Sequence, residues 1–334
     1  MFSRRLFIQT CFASPLLLKS PAYGDTKIVT LSGEINASKL GRTLIHEHVL
    51  VDFIGADKIN PNRWEHDQVI KKVLPYLLDI KAKGIKTIVE CTPAFLGRDV
   101  KLLQKLAHQS GLQILTNTGF YGASDNKYLP SFALTETATE LANRWIAEFK
   151  RGIDGTDVKP GFIKIGVNPG SLSDLHKKLI SAAAIAHLQT GLTIYSHTGP
   201  AIPAFEQLEI LKQSGVHPSA FVWVHANGSD EDFLKIAKMG AWISLDGIDD
   251  GNMDKNAKTI SLLKSSGLLN KVLISHDAGW YKPGEPDGGA FKGFTTISDK
   301  FIPYLKSNGF KQKEIDQILI NNPSQMLAIQ VRKM

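Results

Sequence analysis

From Thr43 onward, short runs of β-branched and apolar residues alternate with longer segments whose apolar positions recur every three or four residues. The short runs fall at 43–51, 85–92, 113–121, 162–167, 192–198, 220–226, 242–248 and 272–278, and predict eight strands. Between them, the spacings Val69-Val73-Leu77-Ile80 and Leu141-Trp145-Phe149 predict amphipathic helices, as do Leu179-Ala183-Ala186 and Phe205-Leu208-Leu211. Gly84, Gly111, Gly191, Gly215, Gly240 and Gly267 stand near the ends of such segments, where a helix C-terminus favours positive φ. Repeated βα units imply a parallel sheet with right-handed crossovers. Eight of them predict an α/β fold, a single (β/α)8 TIM barrel rather than an open sheet. No Gly-x-Gly-x-x-Gly follows a strand, which argues against a dinucleotide site.

The 334 residues, 43% of them hydrophobic, suffice for one large domain or two ordinary ones, and no linker divides them. The net charge of +7 is spread over scattered Lys and Arg. No basic stripe interleaves with aromatics, so the expected partner is a small molecule and not a nucleic acid. Residues 1–24 read as an export signal of the twin-arginine type. Ser3-Arg4-Arg5-Leu6-Phe7-Ile8 precedes a short apolar run through Leu18, and Ala22-Tyr23-Gly24 offers small residues for cleavage. The run is too short to span a bilayer, so an exported, periplasmic protein is expected, free of the membrane once cleaved, with 25–334 as the barrel. Cleavage lowers the charge from +7 to +4, because three basic residues and no acid are lost, and leaves Cys91 as the one thiol. An internal disulfide is then excluded, and stability must come from packing.

Polar residues recur at the C-terminal ends of the predicted strands, where a barrel of this kind builds its active site. TLIHEHVLVD, at 43–52, carries His46 and His48 two apart, so both rings leave one face of a strand. Glu90 ends the second strand, Lys164 lies in the fourth, His197 in the fifth and His225 in the sixth. Asp246 and Asp277 follow in the seventh and eighth. Singly, each has a structural explanation: a hydrogen-bonded core histidine, a lysine reaching outward, an aspartate capping a turn. Together, four histidines, a lysine and an aspartate at one barrel end suit Zn²⁺ or a similar divalent ion. Six candidates exceed one tetrahedral ion and point to two. An ammonium would repel both, so the lysine becomes useful as a carbamate formed with CO₂.

These motifs resemble the phosphotriesterase family of the amidohydrolase superfamily, its lactonase-like members included. The resemblance runs from Gly41 to about Met326, through GRTLIHEHVLVD, ECTPAFLGRD, TNTGFY, GFIKIG, IYSHTG, VWVHANGSDE, LISHDAGW and INNPSQML. It implies that His46, His48 and Asp277 hold a more buried metal and His197 and His225 an exposed one, with carboxylated Lys164 bridging them. The metals would be Zn, with Co or Mn as alternatives. A hydroxide shared by the ions would be the nucleophile, Asp277 would take up the proton, and the protein would be a homodimer. Glu90 and Asp246 are expected to stand behind the ligands, Arg98 and Asp99 to form an ion pair, and His276 to face away. His66, His108, His176, His187 and His217 are expected at the surface.

Tyr121 occupies the place where lactonase-like members carry a tyrosine that can hydrogen-bond near a ring ester oxygen. The loop 279–294, GWYKPGEPDGGAFKGF, offers Trp280, Tyr281 and Phe291 as apolar walls and Lys282 and Lys292 as charges. The expected activity is hydrolysis of a lactone or carboxylic ester, with promiscuous phosphotriester cleavage. The alternatives are a true phosphotriesterase (aryldialkylphosphatase), an amide hydrolase, and a non-catalytic barrel that binds a metal or small ligand.

Overall fold

The computed structural model describes residues 26–334, so the export signal expected at 1–24 lies outside the described residues. A hairpin, β1 (Lys27–Thr30) and β2 (Gly33–Asn36), leads into β3 (Thr43–Leu50), α1 (His66–Ala82), β4 (Thr87–Glu90) and α2 (Val100–Ser110). Then come β5 (Gln113–Leu115), β6 (Asn117–Thr118), α3 (Phe132–Thr135), α4 (Ala138–Arg151) and β7 (Phe162–Gly166). The alternation continues with α5 (Asp174–Thr190), β8 (Thr193–His197), α6 (Ala201–Gln213), β9 (Phe221–Val224), α7 (Asp230–Met239), β10 (Trp242–Leu245) and α8 (Met253–Ser265). β11 (Val272–Ile274), β12 (Gly279–Tyr281), α9 (Ile302–Ser307), α10 (Gln312–Asp316) and α11 (Asn322–Leu327) complete the chain.

All pairings from β3 to β12 are parallel, in the orders β12-β3-β4-β5 and β6-β7-β8-β9-β10-β11. β5 and β6 are two pieces of one strand interrupted at Thr116, and across the other seam Asp277 N–H donates to the His46 carbonyl at 3.0 Å. The architecture is the expected (β/α)8 barrel. Outward positions such as Leu44, Ile88, Ile114, Ile163, Ile194 and Ile243 pack beneath the helices. Inward positions form a second cluster of Ile45, Val89, Leu115, Phe162, Tyr195, Val222 and Leu273, closed from the N-terminal end by Ile28, Leu40, Met326 and Leu327. Cys91 is buried and free, so this packing carries the fold, at about 1.5–3 kcal/mol for each fully buried aliphatic or Phe side chain.

Several strands stop before their expected ends. β9 ends at Val224, β10 at Leu245 and β11 at Ile274, and His225 (φ +56°), Gly247 (φ +74°) and Asp277 (φ +50°) leave the extended region one to three residues further on. Beyond the left-handed Asp277 the chain resumes as β12, inside the Gly- and Pro-rich loop, in the same direction as the other barrel strands and parallel to β3. Arg98 and Asp99 do not pair with each other. Arg98 holds Glu148, Asp154 and the Asn117 carbonyl, whereas Asp99 caps α2 and accepts from Trp64 and His66. His176 and His187 are buried, contrary to expectation: each lies on the inner side of α5 and finds polar partners there. His176 Nε2 meets the Gly122 carbonyl at 3.0 Å, and His187 bonds the Leu192 carbonyl and the Arg332 N–H at 2.8 and 2.9 Å. His66 and His217 are half-buried and His108 is exposed. Among the described residues, no helix is long and apolar enough to cross a membrane.

Candidate metal centre

The site begins with an irregularity in β3. Thr43 and Leu44 pair with Thr87 and Ile88, but Glu47 pairs with Glu90, so three residues of β3 span two of β4. The bulge lets Ile45 fill the barrel interior and lets His46, one residue later, face inward as well. Ordinary alternation then sends Glu47 outward and His48 inward.

His46, His48, Lys164, His197, His225 and Asp277 line one small cavity of about 90 Å³ at the C-terminal mouth of the barrel. Asp277 Oδ1 lies 3.0 Å from His48 Nε2 and 3.6 Å from His46 Nε2, and its Oδ2 lies 3.8 Å from His225 Nε2. Lys164 Nζ donates to His46 Nε2 at 3.1 Å. The His197 and His225 rings meet edge to face at 4.5 Å between centroids. Two groups bring ligand atoms within 4.8 Å of one another: His46, His48 and Asp277, and His46, His225 and Asp246. His197 stands outside both, beside His225.

The residues behind these side chains set their tautomers. Thr92 donates its hydroxyl to Glu90, so His48 Nδ1–H is the donor in the 2.8 Å contact with Thr92, which leaves Nε2 with its lone pair toward the cavity. Asp246, its side chain fully buried, accepts from the His225 N–H at 2.9 Å and from Ser244 at 2.8 Å. It faces His46 Nδ1 and His225 Nδ1 at 3.4 and 3.6 Å. Both acids thus stand behind the candidate ligands, as expected. His276 points away, with Nδ1 on Glu47 at 2.7 Å.

Electrostatics leave the rings of His46, His197 and His225 neutral and Asp246 and Asp277 ionised. Burial, with the nearby Lys164 charge, lowers His46 to about 4, and burial also lowers His197 and His225. Burial pushes Asp277 and Asp246 the other way, but the histidines around them overcome it and hold both below the usual carboxylate range. Neutral imidazole beside carboxylate is the protonation state that metal ligation requires. A tetrahedral ion with bonds of about 2.0–2.1 Å separates its ligands by roughly 3.3 Å, close to the spacings around Asp277. The donor set therefore fits a divalent ion.

Tyr121 packs edge to face on His197 at 5.1 Å and lies against Gly166, where a Cβ would come within 2.9 Å of the ring. Burial, with the charge of Asp277, raises its pKa, so the phenol keeps its proton. Val51, Phe53, Pro93, Leu96 and Trp280 complete the apolar wall. Of the residues expected from the 279–294 loop, only Trp280 reaches the cavity. Tyr281 is buried, Phe291 packs on Tyr76 and Phe294, Lys282 pairs with Glu285, and Lys292 bonds Gly279 through its backbone. Glu47 and Thr92 gave no warning in the sequence: one is flanked by histidines, and the other follows a cysteine.

The sequence profile of the phosphotriesterase family matches residues 26–327. The chain belongs to the phosphotriesterase family. The phosphotriesterase homology protein of Escherichia coli K12 is 31% identical, over 85% of this chain and 97% of its own. The aryldialkylphosphatase of Saccharolobus solfataricus is 33% identical, over 88% and 97%. The N-acetyltaurine hydrolase of Rattus norvegicus is 28% identical, over 90% and 98%. Among solved structures, the Escherichia coli phosphotriesterase homology protein with phosphate in its active site superposes with a TM-score of 0.75 at 29% identity, covering 86% of this chain and 99% of that one. A variant of the organophosphorus hydrolase from Deinococcus radiodurans gives a TM-score of 0.80 at 25% identity, over 91% and 97%. The protein is thus a hydrolase of the phosphotriesterase family.

Proposed function

We propose that this phosphotriesterase-family protein is a two-metal hydrolase that cleaves a neutral carboxylic ester or lactone. The observation that carries the reading is the convergence of His46, His48, Lys164, His197, His225 and Asp277 on one apolar-walled cavity. His46, His48 and Asp277 would hold one ion and His197 and His225 the other, with Lys164, carboxylated by CO₂, reaching both. Zn²⁺, Co²⁺ or Mn²⁺ suits these nitrogen and oxygen donors. Ions seated there supply an acidified water and an electrophilic pole for the scissile C=O.

The chain's own groups do the rest. Asp277 Oδ1 and Oδ2, ionised among imidazoles, accept the proton that the attacking water gives up. Asp246 and the Glu90–Thr92 pair keep His46, His225 and His48 turned so that Nε2 faces the cavity. The protonated phenol of Tyr121 donates to the leaving oxygen. Trp280, Phe53, Leu96 and Val51 exclude water and hold an apolar acyl chain.

Substrate charge separates the remaining readings. Apart from Lys164, no lysine or arginine among the described residues lines the cavity, so a sulfonate or other fixed anion held away from the ions would find no counter-charge in the walls. This favours a lactone or ester over an anionic N-acyl substrate of the kind named for the rat relative. A phosphotriester is neutral too, and the name of the Saccharolobus solfataricus relative supports cleavage of that class alongside. The test is metal analysis and a substrate screen on one sample. Two ions per chain should accompany hydrolysis of lactones and esters ahead of phosphotriesters and N-acyl taurines, lost on chelation and restored by Zn²⁺, Co²⁺ or Mn²⁺. Two bound ions with no hydrolysis across the panel would leave a binding protein instead.

A further inference from the structure

Between the two histidines of β3 stands a carboxylate that the proposed chemistry does not use. Glu47 is fully buried and faces out of the barrel. It accepts four hydrogen bonds, all from residues 275–278: Ser275 Oγ at 2.7 Å, His276 N–H at 3.1 Å, His276 Nδ1 at 2.7 Å and Ala278 N–H at 3.0 Å. Asp277 sits in the middle of that stretch, beyond the end of β11, with a left-handed φ of +50°. A non-glycine residue holds such a backbone only where its surroundings over-determine it. The same turn is tied to the ligand strand twice more: His46 N–H donates to Ser275 Oγ at 2.9 Å, and Asp277 N–H to the His46 carbonyl at 3.0 Å. On its far side, His276 Nε2 accepts from Ile297 N–H at 3.0 Å.

We propose that Glu47 is a positioning residue for the metal centre: its carboxylate clamps the 275–278 turn so that the Asp277 carboxylate meets Nε2 of His46 and His48. One strand then delivers two ligands on its inner face and aims a third through its outer face. Ligands from opposite ends of the chain thereby keep one relative geometry. The inference rests on the metal-dependent reading above.

Glu47→Gln tests it with little change of size. A carboxylate only accepts, whereas an amide has one acceptor oxygen and a donor NH₂. All four partners donate, so the amide cannot satisfy them. Metal-free protein is titrated with Co²⁺ and followed by visible absorption, with circular dichroism and thermal unfolding on the same samples. In Glu47→Gln the affinity for at least one ion should fall about 10- to 100-fold and the absorption bands should change. Lactone or ester kcat should fall with KM nearly constant, while the fold is kept. His276→Phe, which removes the ring donor to Glu47 while leaving Ser275 on the His46 N–H, should shift affinity the same way by less, and it decides the matter if Glu47→Gln does not fold. A folded variant with wild-type Co²⁺ affinity and spectrum overturns the proposal. A wild type that takes up no Co²⁺ overturns the proposed function itself and this inference with it.

Discussion

Replacing Lys164 by methionine should move stability in opposite directions with and without metal. The side chain is 1% exposed, and among the described residues its head makes one hydrogen bond, to His46 Nε2 at 3.1 Å, with no carboxylate oxygen within 4.0 Å. Methionine fills the same channel without a polar head to desolvate, a change that gains about 1–3 kcal/mol. At about 2 cal/mol/K of unfolding entropy per residue, a barrel of this size shifts its Tm by about 2–5 °C for that gain. Zn²⁺ at a hundred times its Kd adds about 2.7 kcal/mol per ion to the wild type, which is roughly 4 °C each. The variant lacks the oxygens that a carboxylated lysine would supply and should lose most of that increment. Calorimetric scans in chelator and in zinc should therefore cross, with Lys164→Met above wild type in the first and below it in the second. A variant that unfolds earlier in chelator and still gains the full zinc increment refutes the reasoning, because Lys164 would then be a packing residue. Short carboxylic acids added to Lys164→Ala should restore part of the metal binding and activity.

Tyr121→Phe removes one donor to the leaving oxygen and should lower kcat/KM by about 10- to 100-fold, read in steady-state lactone or ester kinetics. Gly166→Ala keeps the hydroxyl but places a Cβ 2.9 Å from the Tyr121 ring, so it should reproduce much of that loss, and the double variant should be far from additive. Asp277→Asn should cut kcat by about 10²- to 10⁴-fold even when saturated with metal, measured by the same assay. His187 is kept below its ordinary 6.5, chiefly by burial. Below 6.5 the unfolded chain takes up a proton that the folded ring refuses, so stability should fall as pH drops through that value. Urea titrations at pH 7 and pH 5 should show a smaller loss for His187→Gln than for wild type.

The barrel and the cluster of residues lining its mouth were legible because both rest on strong periodic signals. Alternation placed His46 and His48 on one face of a strand, and the βα repeat placed Lys164, His197, His225 and Asp277 at the same end. The strand ends were overdrawn because HANG and HDAG continue the polar-apolar rhythm while their backbones, at His225 and Asp277, turn left-handed. The bulge between Leu44 and Glu47 left no mark on the pattern, since Ile45 and His46 both suit an inner face for different reasons. Glu47 was hidden between two histidines, as the three residues that donate its four hydrogen bonds lie some 230 positions away. His176 and His187 escaped for the same reason: helical spacing does not reveal that Gly122, Leu192 and Arg332 wait opposite them. Local pattern reports which face a residue takes, and only the closed barrel reports what it meets there.

The most direct measurement is an anomalous difference map from crystals of the protein equilibrated with Zn²⁺. The account predicts two peaks at the barrel mouth, one within about 2.0–2.2 Å of His46, His48 and Asp277 and one beside His197 and His225, with Lys164 reaching both. Imidazoles and carboxylates left without a peak among them, in protein that still hydrolyses its substrate, would contradict it.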